Sequence, residues 1–554
     1  MKYTAGKTST WLALRNPVYS KLWFAMVISG SWMAAQNTAI YWALNALGAT
    51  TVLISLMATV SALPGALFTL PAGAIADMVN RKKILLAVQL WHAAIAIGLT
   101  ILWTAHLLNP YLILTGAFLF SLGFAFSAPA SSAAIPEMVS AEELASAYTL
   151  SGLQMDVSGI IGSLLGGLLI PLIGVSFIFG VNGAGFLLMF LAVLQWKRVR
   201  AQSNLPLETF FESLTTAIRY VRYTAGIKIL LARHALFSFF ISIIPALMPV
   251  VGLRELHLEA SNLGYLFTAM AVGSVLSGAF AIPWARAKYS PEQITTGANL
   301  VLVLDFILMV LVHQPYVFLA VAALGGVGWT VSASELWVAS QRAMPDWARG
   351  RMNATITMVA QGATALGGAL WGLAAHGFGV VPTFLGAAGF ALLLMVLVHV
   401  VPALRISIDF TASFTFEPAP LVLLSQNLAP SRLPATRDGP VSITAEFQFD
   451  PARRDECVDL MREARLIFLR NGAYRWHLYE DLEQPNTFRM EVVVSSWKQY
   501  LLGIERLTKN EKDVIDKLNG MHIGPNPPDT WISLSADSEI LKKRVQAVHA
   551  QRLA

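Results

Sequence analysis

Twelve stretches of the first 401 residues stay apolar for about twenty positions each, the length an α-helix needs to cross the hydrocarbon layer of a bilayer. They run near residues 22–46, 52–75, 82–106, 111–130, 147–172, 176–196, 229–252, 263–284, 294–312, 316–339, 351–375 and 379–401. Runs this long and this numerous have no polar face to turn toward water, so a soluble core cannot take them. Only 13% of the 554 residues are charged and 55% are hydrophobic, against about 25% charged in soluble domains. The imbalance is local. Residues 1–401 hold 20 Lys and Arg and 13 Asp and Glu, a net charge of +7, whereas residues 402–554 hold 19 and 20, a net −1. Lipid solvates the first part and water the second.

The longest polar interruption, 197–228, separates the sixth and seventh stretches, and its "TFFESLTTAIRYVRY" has the pattern of an amphipathic surface helix. The expected organisation is an N-terminal six-helix bundle over 1–196, a cytoplasmic amphipathic linker over 197–228 and a second six-helix bundle over 229–401. A linker over 402–439 and a soluble domain over 440–554 follow. Basic residues set the orientation. The N-terminus and the even-numbered connections carry 19 of the 20 Lys and Arg of the membrane part, and the odd-numbered connections carry one, Arg254. Both termini are therefore expected on the cytoplasmic side of the membrane. The connection at 131–146 breaks the trend, with Glu137, Glu142 and Glu143 and no base; acids weigh little in this rule. The first apolar run is too long for the core of a cleavable signal peptide, so none is expected. The basic residues sit in short clusters between apolar runs, and no nucleic-acid partner is expected. The lone cysteine, Cys457, leaves no intramolecular disulfide and no multi-cysteine metal site. Neither a metal nor a cofactor is expected.

The two halves are alike. "GIIGSLLGGLL" (159–169) in the fifth stretch is matched by "LGGALWGLA" (366–374) in the eleventh, and each follows a proline–acid pair, Pro136-Glu137 and Pro345-Asp346. Parallel six-helix repeats with a site near the midplane are a transporter layout. Gly159, Gly162, Ser163, Gly166 and Gly167 form a helix-packing motif, a flat seam that lets another helix approach closely. The connection after the second stretch reads "GAIADMVNRKK", which places Gly73, Asp77, Arg81, Lys82 and Lys83 in one cluster. It resembles the signature of the major facilitator superfamily: a glycine, three residues, an aspartate, then bases after a turn. Met78 stands where a base is usual and Asn80 where glycine is usual. "GSLLGG" (162–167) is similar to the glycine-rich motif of proton-coupled exporters in that superfamily, with Ser163 in place of proline. "RNPVYSKLWFAMVISGSW", "FAFSAPASSAAIPEMVSAEELASA" and "MPDWARGRMNATITMVAQG" resemble one branch of it, which includes the enterobactin exporter and macrolide-efflux-like proteins. The resemblance implies secondary active export of a small molecule, driven by protons. It also implies that the cluster from Gly73 to Lys83 is a gating motif. There Gly73 would allow close packing, and Asp77 would pair with Arg81 or a neighbouring helix start, contacts that break and re-form between two states.

Three acids lie inside apolar stretches: Asp156, Asp305 and Glu335. A charge in hydrocarbon costs at least about 2.5–3.5 kcal/mol, which makes each a proton-coupling candidate. Asp156 precedes Gly159 and Ser163 on or beside the seam, so it is expected to face protein or a cavity and takes first place. Glu335 lies a turn or two from Arg342, its expected ion-pair partner. Asp305 lies in the ninth helix, which is peripheral in the superfamily. His92 reads as a hydrogen-bonded packing residue. Gln36, Asn37, Trp329 and Gln361 are the substrate-cavity candidates, on helices that line such cavities in the superfamily.

The tail alternates like strands at 441–449, 474–481, 487–495 and 529–535, with helices after the first and third. That order is a ferredoxin-like α+β unit. "GAYRWHLYED" and "SWKQYLLGIERLT" resemble the antibiotic-biosynthesis-monooxygenase type of barrel, which implies a homodimer through this domain. Trp476, His477, Trp497 and Arg506 suit a pocket, and sheet packing or a dimer interface accounts for them equally; no catalytic residue is assigned. The sequence therefore points to a small-molecule exporter of twelve transmembrane helices whose partners are substrate, protons and lipid. A membrane-anchored enzyme with an oxygenase-like tail, and a lipid flippase, stay open as alternatives.

Overall fold

A computed structural model describes residues 11–140, 142–196, 210–224, 226–344, 346–400, 434, 438–524 and 526–535. The first half of the membrane part is α1 (Pro17–Ala46), α2 (Thr51–Met78), α3 (Arg81–Thr104), α4 (Pro110–Ala134), α5 (Leu144–Ile173) and α6 (Val175–Gln195). Local chemistry starts these helices. The Asn16, Thr50, Asn80 and Asn109 side chains each accept a backbone N–H of the first turn, and Pro17 and Pro110 occupy first positions that need no N–H. After α7 (Phe210–Tyr223), the second half opens with α8 (Ile227–Ile241) and α9 (Ile243–Val250), which run on through a π-turn at Val251–Glu255. Then α10 (Ala260–Leu276) and α11 (Ile282–Lys288) are joined by a second π-turn, and α12 (Pro291–Leu311), α13 (Pro315–Arg342), α14 (Asp346–Phe378) and α15 (Val380–Val400) follow.

Among the described residues, eleven crossings are long and apolar enough to span a membrane, counting α8–α9 as one and α10–α11 as one. The twelve expected stretches thus yield eleven by this measure. The exception is α1, long enough at 30 residues but diluted by Ser29, Ser31, Gln36, Asn37 and Thr38. Those polar groups are affordable because most of them turn inward: Ser29, Ser31, Gln36 and Thr38 are buried.

The basic residues Arg81, Lys82, Arg286 and Lys288 mark one end of this unit. At the opposite, far end a single core joins both halves, with Ala39, Leu44 and Ile54 from the first packed in one cluster with Ile243, Leu247 and Leu263 from the second. At the basic end the clusters among the described residues are separate. Leu22, Ala76, Leu85 and Val193 form one cluster and Tyr19, Trp23 and Leu150 another, both within the first half; Ile282, Ile294 and Val331 cluster within the second. The halves are packed together at the far end and part toward the basic end.

A second compact unit takes in residues 208–228, 341–352 and 406–554. Its sheet comprises β1 (Val441–Gln448), β2 (Ala473–Glu480), β3 (Thr487–Val494) and β4 (Asp529–Leu534), antiparallel in the order β2-β3-β1-β4. The helices α16 (Arg454–Arg470), α17 (Trp497–Glu505) and α18 (Lys509–Gly520) accompany it. Alternation places Val441, Ile443, Ala445 and Phe447 of β1 in the core with Cys457, Met461 and Ala464 of α16. The expected linker 402–439 lies outside the described residues apart from 434, 438 and 439.

The amphipathic helix expected in the inter-half connection is α7, and its surface meets protein. Tyr223 packs on the core of the sheet domain, and Arg219 Nη1 donates to the Gly472 carbonyl at 2.9 Å. Burial pushes the Tyr220 hydroxyl up to about 12, so it stays protonated and donates to the Ala343 carbonyl at 3.3 Å. Beside it Arg470 pairs with Glu511, both largely enclosed.

His522 closes the domain at one edge: its Nδ1 accepts the Gln448 backbone N–H at 2.9 Å, which requires a neutral ring. Burial holds its imidazole below the usual range. The unfolded chain therefore takes up a proton that the folded one refuses, and stability falls as pH drops below about 6.5. Cys457 is the only cysteine of the chain and is buried, so its pulse labelling in urea reports unfolding of this domain alone. The urea midpoint is expected to be lower at mildly acid than at neutral pH, and His522→Gln is expected to remove part of that difference.

Candidate functional site

Glycines decide where the two halves touch. A Cβ on Gly162 of α5 would run into the Ser31 carbonyl and Ala34 of α1, and one on Gly166 would press on Ala35 and Thr38 of the same helix. One residue further round the helix, a Cβ on Gly167 would lie 2.8 Å from the Ser261 carbonyl and 3.0 Å from Gly264, both on α10 of the other half. The second half repeats the device. Gly367 of α14 abuts Phe239 of α8 in its own half, whereas Gly368 and Gly372 abut Ala58, Thr59 and Ser55 of α2 across the divide. Small residues on one helix thus seat both a neighbour of the same bundle and a helix of the opposite one. Three polar contacts reinforce the join. Thr59 Oγ1 donates to the Ala365 carbonyl at 2.8 Å, Tyr41 to the Pro245 carbonyl at 3.0 Å, and Arg254 to Thr51 Oγ1 at 2.8 Å and to the Ala49 carbonyl. Gly159, by contrast, has nothing within 4 Å of where a Cβ would stand, so the motif is a packing seam only from Gly162 onward.

Under the join lies a cavity of about 350 Å³. Asn37, Thr38 and Tyr41 of α1, Met57 and Ser61 of α2, Ser163 of α5, Pro245 of α9, Phe267 of α10, and Gln361 and Thr364 of α14 contribute to its wall. Every residue lining it is uncharged, and its polarity comes from amides and hydroxyls set among apolar groups. Of the cavity candidates, Asn37 and Gln361 are in the wall. Gln36 is not: its Oε1 accepts Asn182 Nδ2 at 2.6 Å in a buried pair between α1 and α6. Trp329 packs against the main core and does not line the cavity. An apolar sequence context flagged Gln36, and the same reasoning applied to Asn182 in "FGVNGAG" would have found its partner.

At the basic rim, Arg81 reaches across to α4, where its Nη1 donates to Glu137 Oε1 at 2.8 Å and to the Ala133 carbonyl at 3.0 Å. Lys82 Nζ donates to the Leu194 and Trp196 carbonyls at the end of α6, at 2.9 and 2.7 Å, where a helix leaves acceptors unpaired. Glu137 was the exception to the charge pattern, and it is the acid this arginine meets. Lys83 is exposed, and Gly73 has nothing within 4 Å of its Cβ position, so the expected close packing at Gly73 is absent here. The Asp77 side chain lies outside the described residues.

The three helix acids occupy three environments. Asp156 is exposed. It shares a face of α5 with Ser163 and Gly167, about 10 Å from Ser163 along the axis, and the exposed Leu164, Leu168 and Leu172 occupy the other face. That shared face places Asp156 on the side of α5 that turns toward the other half, and not on its leucine face. Glu335 is 5% exposed and pairs with Arg286 of α11 at 2.7 Å; the expected partner Arg342 is replaced by a base from another crossing. Asp305 is fully buried between α12 and α13, and no side chain partners either carboxyl oxygen. His92 donates or accepts through Nε2 at the Phe120 carbonyl, 2.9 Å away, among the rings of Phe120, Phe124 and Phe186. In the sheet domain Trp476 packs on the core and Trp497 stacks on Tyr500 within it, Arg506 is buried, and His477 is exposed beside Tyr479.

The seam geometry makes a graded prediction. Gly162→Ala and Gly167→Ala are expected to force α5 away from α1 or α10, at about 1–3 kcal/mol each, and to lower the amount of folded protein recovered from membranes. Gly159→Ala is expected to leave it unchanged. Size-exclusion yield and thermal stability in detergent check the three side by side.

Comparison with known proteins follows from this architecture. The enterobactin exporter of Shigella boydii is 28% identical over 398 residues, 69% of this chain and 90% of that protein. Macrolide efflux protein A of Streptococcus pyogenes is 25% identical over 268 residues, 47% of this chain, which spans 65% of that protein's length. Among solved structures, the nucleoside transporter NupG matches with a TM-score of 0.58 at 12% identity, over 69% of this chain and 98% of that one. A bacterial homologue of the human lysosomal transporter Spinster, inward-facing and occupied, matches with 0.55 at 13% identity, over 72% and 98%. These two show a shared fold. The sequence profile of transmembrane secretion effectors matches residues 8–540, nearly the whole chain, and the chain accordingly belongs to the transmembrane secretion effector family of the major facilitator superfamily.

Proposed function

We propose that this protein exports an amphipathic small molecule across the bacterial inner membrane by alternating access, in exchange for protons. The observation that carries the reading is a membrane unit closed at one end by two glycine seams and open at the other onto a cavity of amides, hydroxyls and apolar groups. The excess of Lys and Arg at the open end supports a cytoplasmic position for that end and for both termini. On this reading α1 is the twelfth span, and residues 1–196 and 229–401 are the two bundles that rock against each other. Relatives named as an enterobactin exporter and a macrolide efflux protein favour outward movement of a molecule with several hydrogen-bonding groups on an apolar frame. Asn37 and Gln361 would hold such groups in the uncharged cavity. The rim contacts of Arg81 and Lys82 lie where the vestibule must narrow for the other state.

Asp156 fits this cycle as the acid that exchanges protons with the vestibule. It continues the line of Ser163 and Gly167, so closing α10 along the rest of α5 would cover it. The sheet domain, ferredoxin-like in its strand order, is proposed to act as a dimerising or regulatory module and not as an enzyme.

The test is proton release in energised inside-out vesicles on addition of macrolides, lipophilic cations and catechol siderophores in turn. Asp156→Asn is expected to abolish the release given by wild type while the protein stays folded in the membrane; an equal response in both removes Asp156 from the coupling. Asn37→Ala and Gln361→Ala are each expected to raise the half-saturating concentration about tenfold, the effect of losing roughly one buried hydrogen bond. A response confined to lipophilic cations would contradict the uncharged cavity.

A further inference from the structure

Of the three acids described above, Asp305 alone neither meets water nor meets a base. Its exposure is 0%, no side chain partners either carboxyl oxygen, and the one polar group acting on it is the backbone of Gly325. It lies against Gly325 of α13, where a Cβ would come within 2.8 Å of Oδ2 and 3.2 Å of Cγ; only glycine leaves room for the carboxyl group. Around it are Leu302, Val303 and Phe306 of its own helix, and Phe306 meets Phe384 of α15 edge to face at 6.3 Å. The ionisable residues of the three helices are Glu292 on α12, Tyr316, Glu335 and Arg342 on α13, and His399 on α15. Glu292 and Tyr316 belong to helix starts, Glu335 is committed to Arg286, and no charged side chain among the described residues acts on Asp305.

An ionised carboxyl in such a place would be uncompensated. We propose that Asp305 is a conformational switch for the transport cycle proposed above: protonated, it stabilises the state that is open at the basic end, and its deprotonation drives the protein toward the opposite state. The ion is a proton and not a metal cation, because a metal cation needs a cage of several oxygens and Asp305 brings only its own two. A sealed acid suits this task better than an exposed one. The free energy of burying its charge differs between a state that encloses it and a state that hydrates it, and that difference is what couples protonation to shape. Asp156, open to the vestibule in this state, exchanges protons with solvent; Asp305 decides which state the protein holds.

The inference rests on the alternating-access reading, and its test needs no substrate. In full-length protein with Cys457→Ser, spin labels at Ser140→Cys and Lys288→Cys, both exposed at the basic end, report the gap between the halves. Wild type is expected to lose the long-distance population as pH is raised from mildly acid to mildly alkaline, at fixed sodium. Asp305→Asn is expected to keep the long distance throughout, while Asp156→Asn still responds. Asp305→Glu retains an acid and is expected to respond with a shifted midpoint, which separates loss of the switch from loss of the fold. A pH response in Asp305→Asn equal to wild type overturns the assignment, as does a response to sodium instead of pH, or to neither. If substrate-driven proton release persists while this test fails, Asp305 alone is wrong. If wild type releases no proton with any substrate, the antiport reading beneath it falls.

Discussion

Close approach of helix backbones at a few glycines is the contact on which the rest of the membrane unit depends. Lipid chains are as apolar as leucine side chains, so the hydrophobic effect does not press helices together inside a bilayer; dispersion over surfaces that fit does. In the far half of the unit the small residues of α5 and α14 supply such surfaces, with Gly167 on Gly264 and Gly368 on Ala58 and Thr59. In the basic half the corresponding glycines look into empty space, as Gly152 and Gly159 do. Which end is shut follows from where backbones fit, and the position of the cavity follows from which end is shut.

The same constraint explains why the two halves can be alike in sequence and still do different work on each face. Gly162 and Gly166 hold α5 to the first helix of its own bundle, and Gly367 holds α14 to α8, the corresponding crossing of its own. These contacts are internal to a bundle and can persist while the bundles move. Gly167, Gly368 and Gly372 cross the divide and must separate for the far end to open. One motif thus carries a seam within a bundle and a seam between bundles, distinguished by a rotation of about one residue around the helix.

Length and apolarity place eleven of the crossings, because a helix in lipid has to satisfy its backbone internally and so its extent is written locally. The partner of each polar group was not local. Glu335 and Arg286 are 49 positions apart, and Gln36 and Asn182 are 146 apart; both pairs depend on which crossings are neighbours. The departures from the regular charge pattern were the better guide. Arg254, the only base in the far connections, ties the halves together there, and Glu137, an acid in a connection without bases, receives Arg81. Mid-helix polarity likewise marks Asn37 and Gln361, which lie in the cavity wall, but does not separate Asn37 from Gln36, one position away on a different face of the same helix. The acids show the limit most clearly: water, an ion pair and a sealed pocket are three answers to one solvation cost, and sequence does not say which acid receives which.

The water-solvated domain poses a related question of boundaries. Its compact unit includes not only the chain from 406 onward but also 208–228 and 341–352, segments whose neighbours in sequence are membrane helices. The amphipathic pattern of α7 marks a surface helix without naming what covers it; in the structure Tyr223 gives its ring to the sheet domain's core and Arg219 gives a hydrogen bond to Gly472. An amphipathic helix is indifferent to whether lipid or protein covers its apolar face; what decided the matter was a buried polar partner, which only a folded domain offers. Through these contacts α7 is part of the sheet domain's packing unit, and a change that loosens the sheet's core at Tyr223 acts on α7 as well.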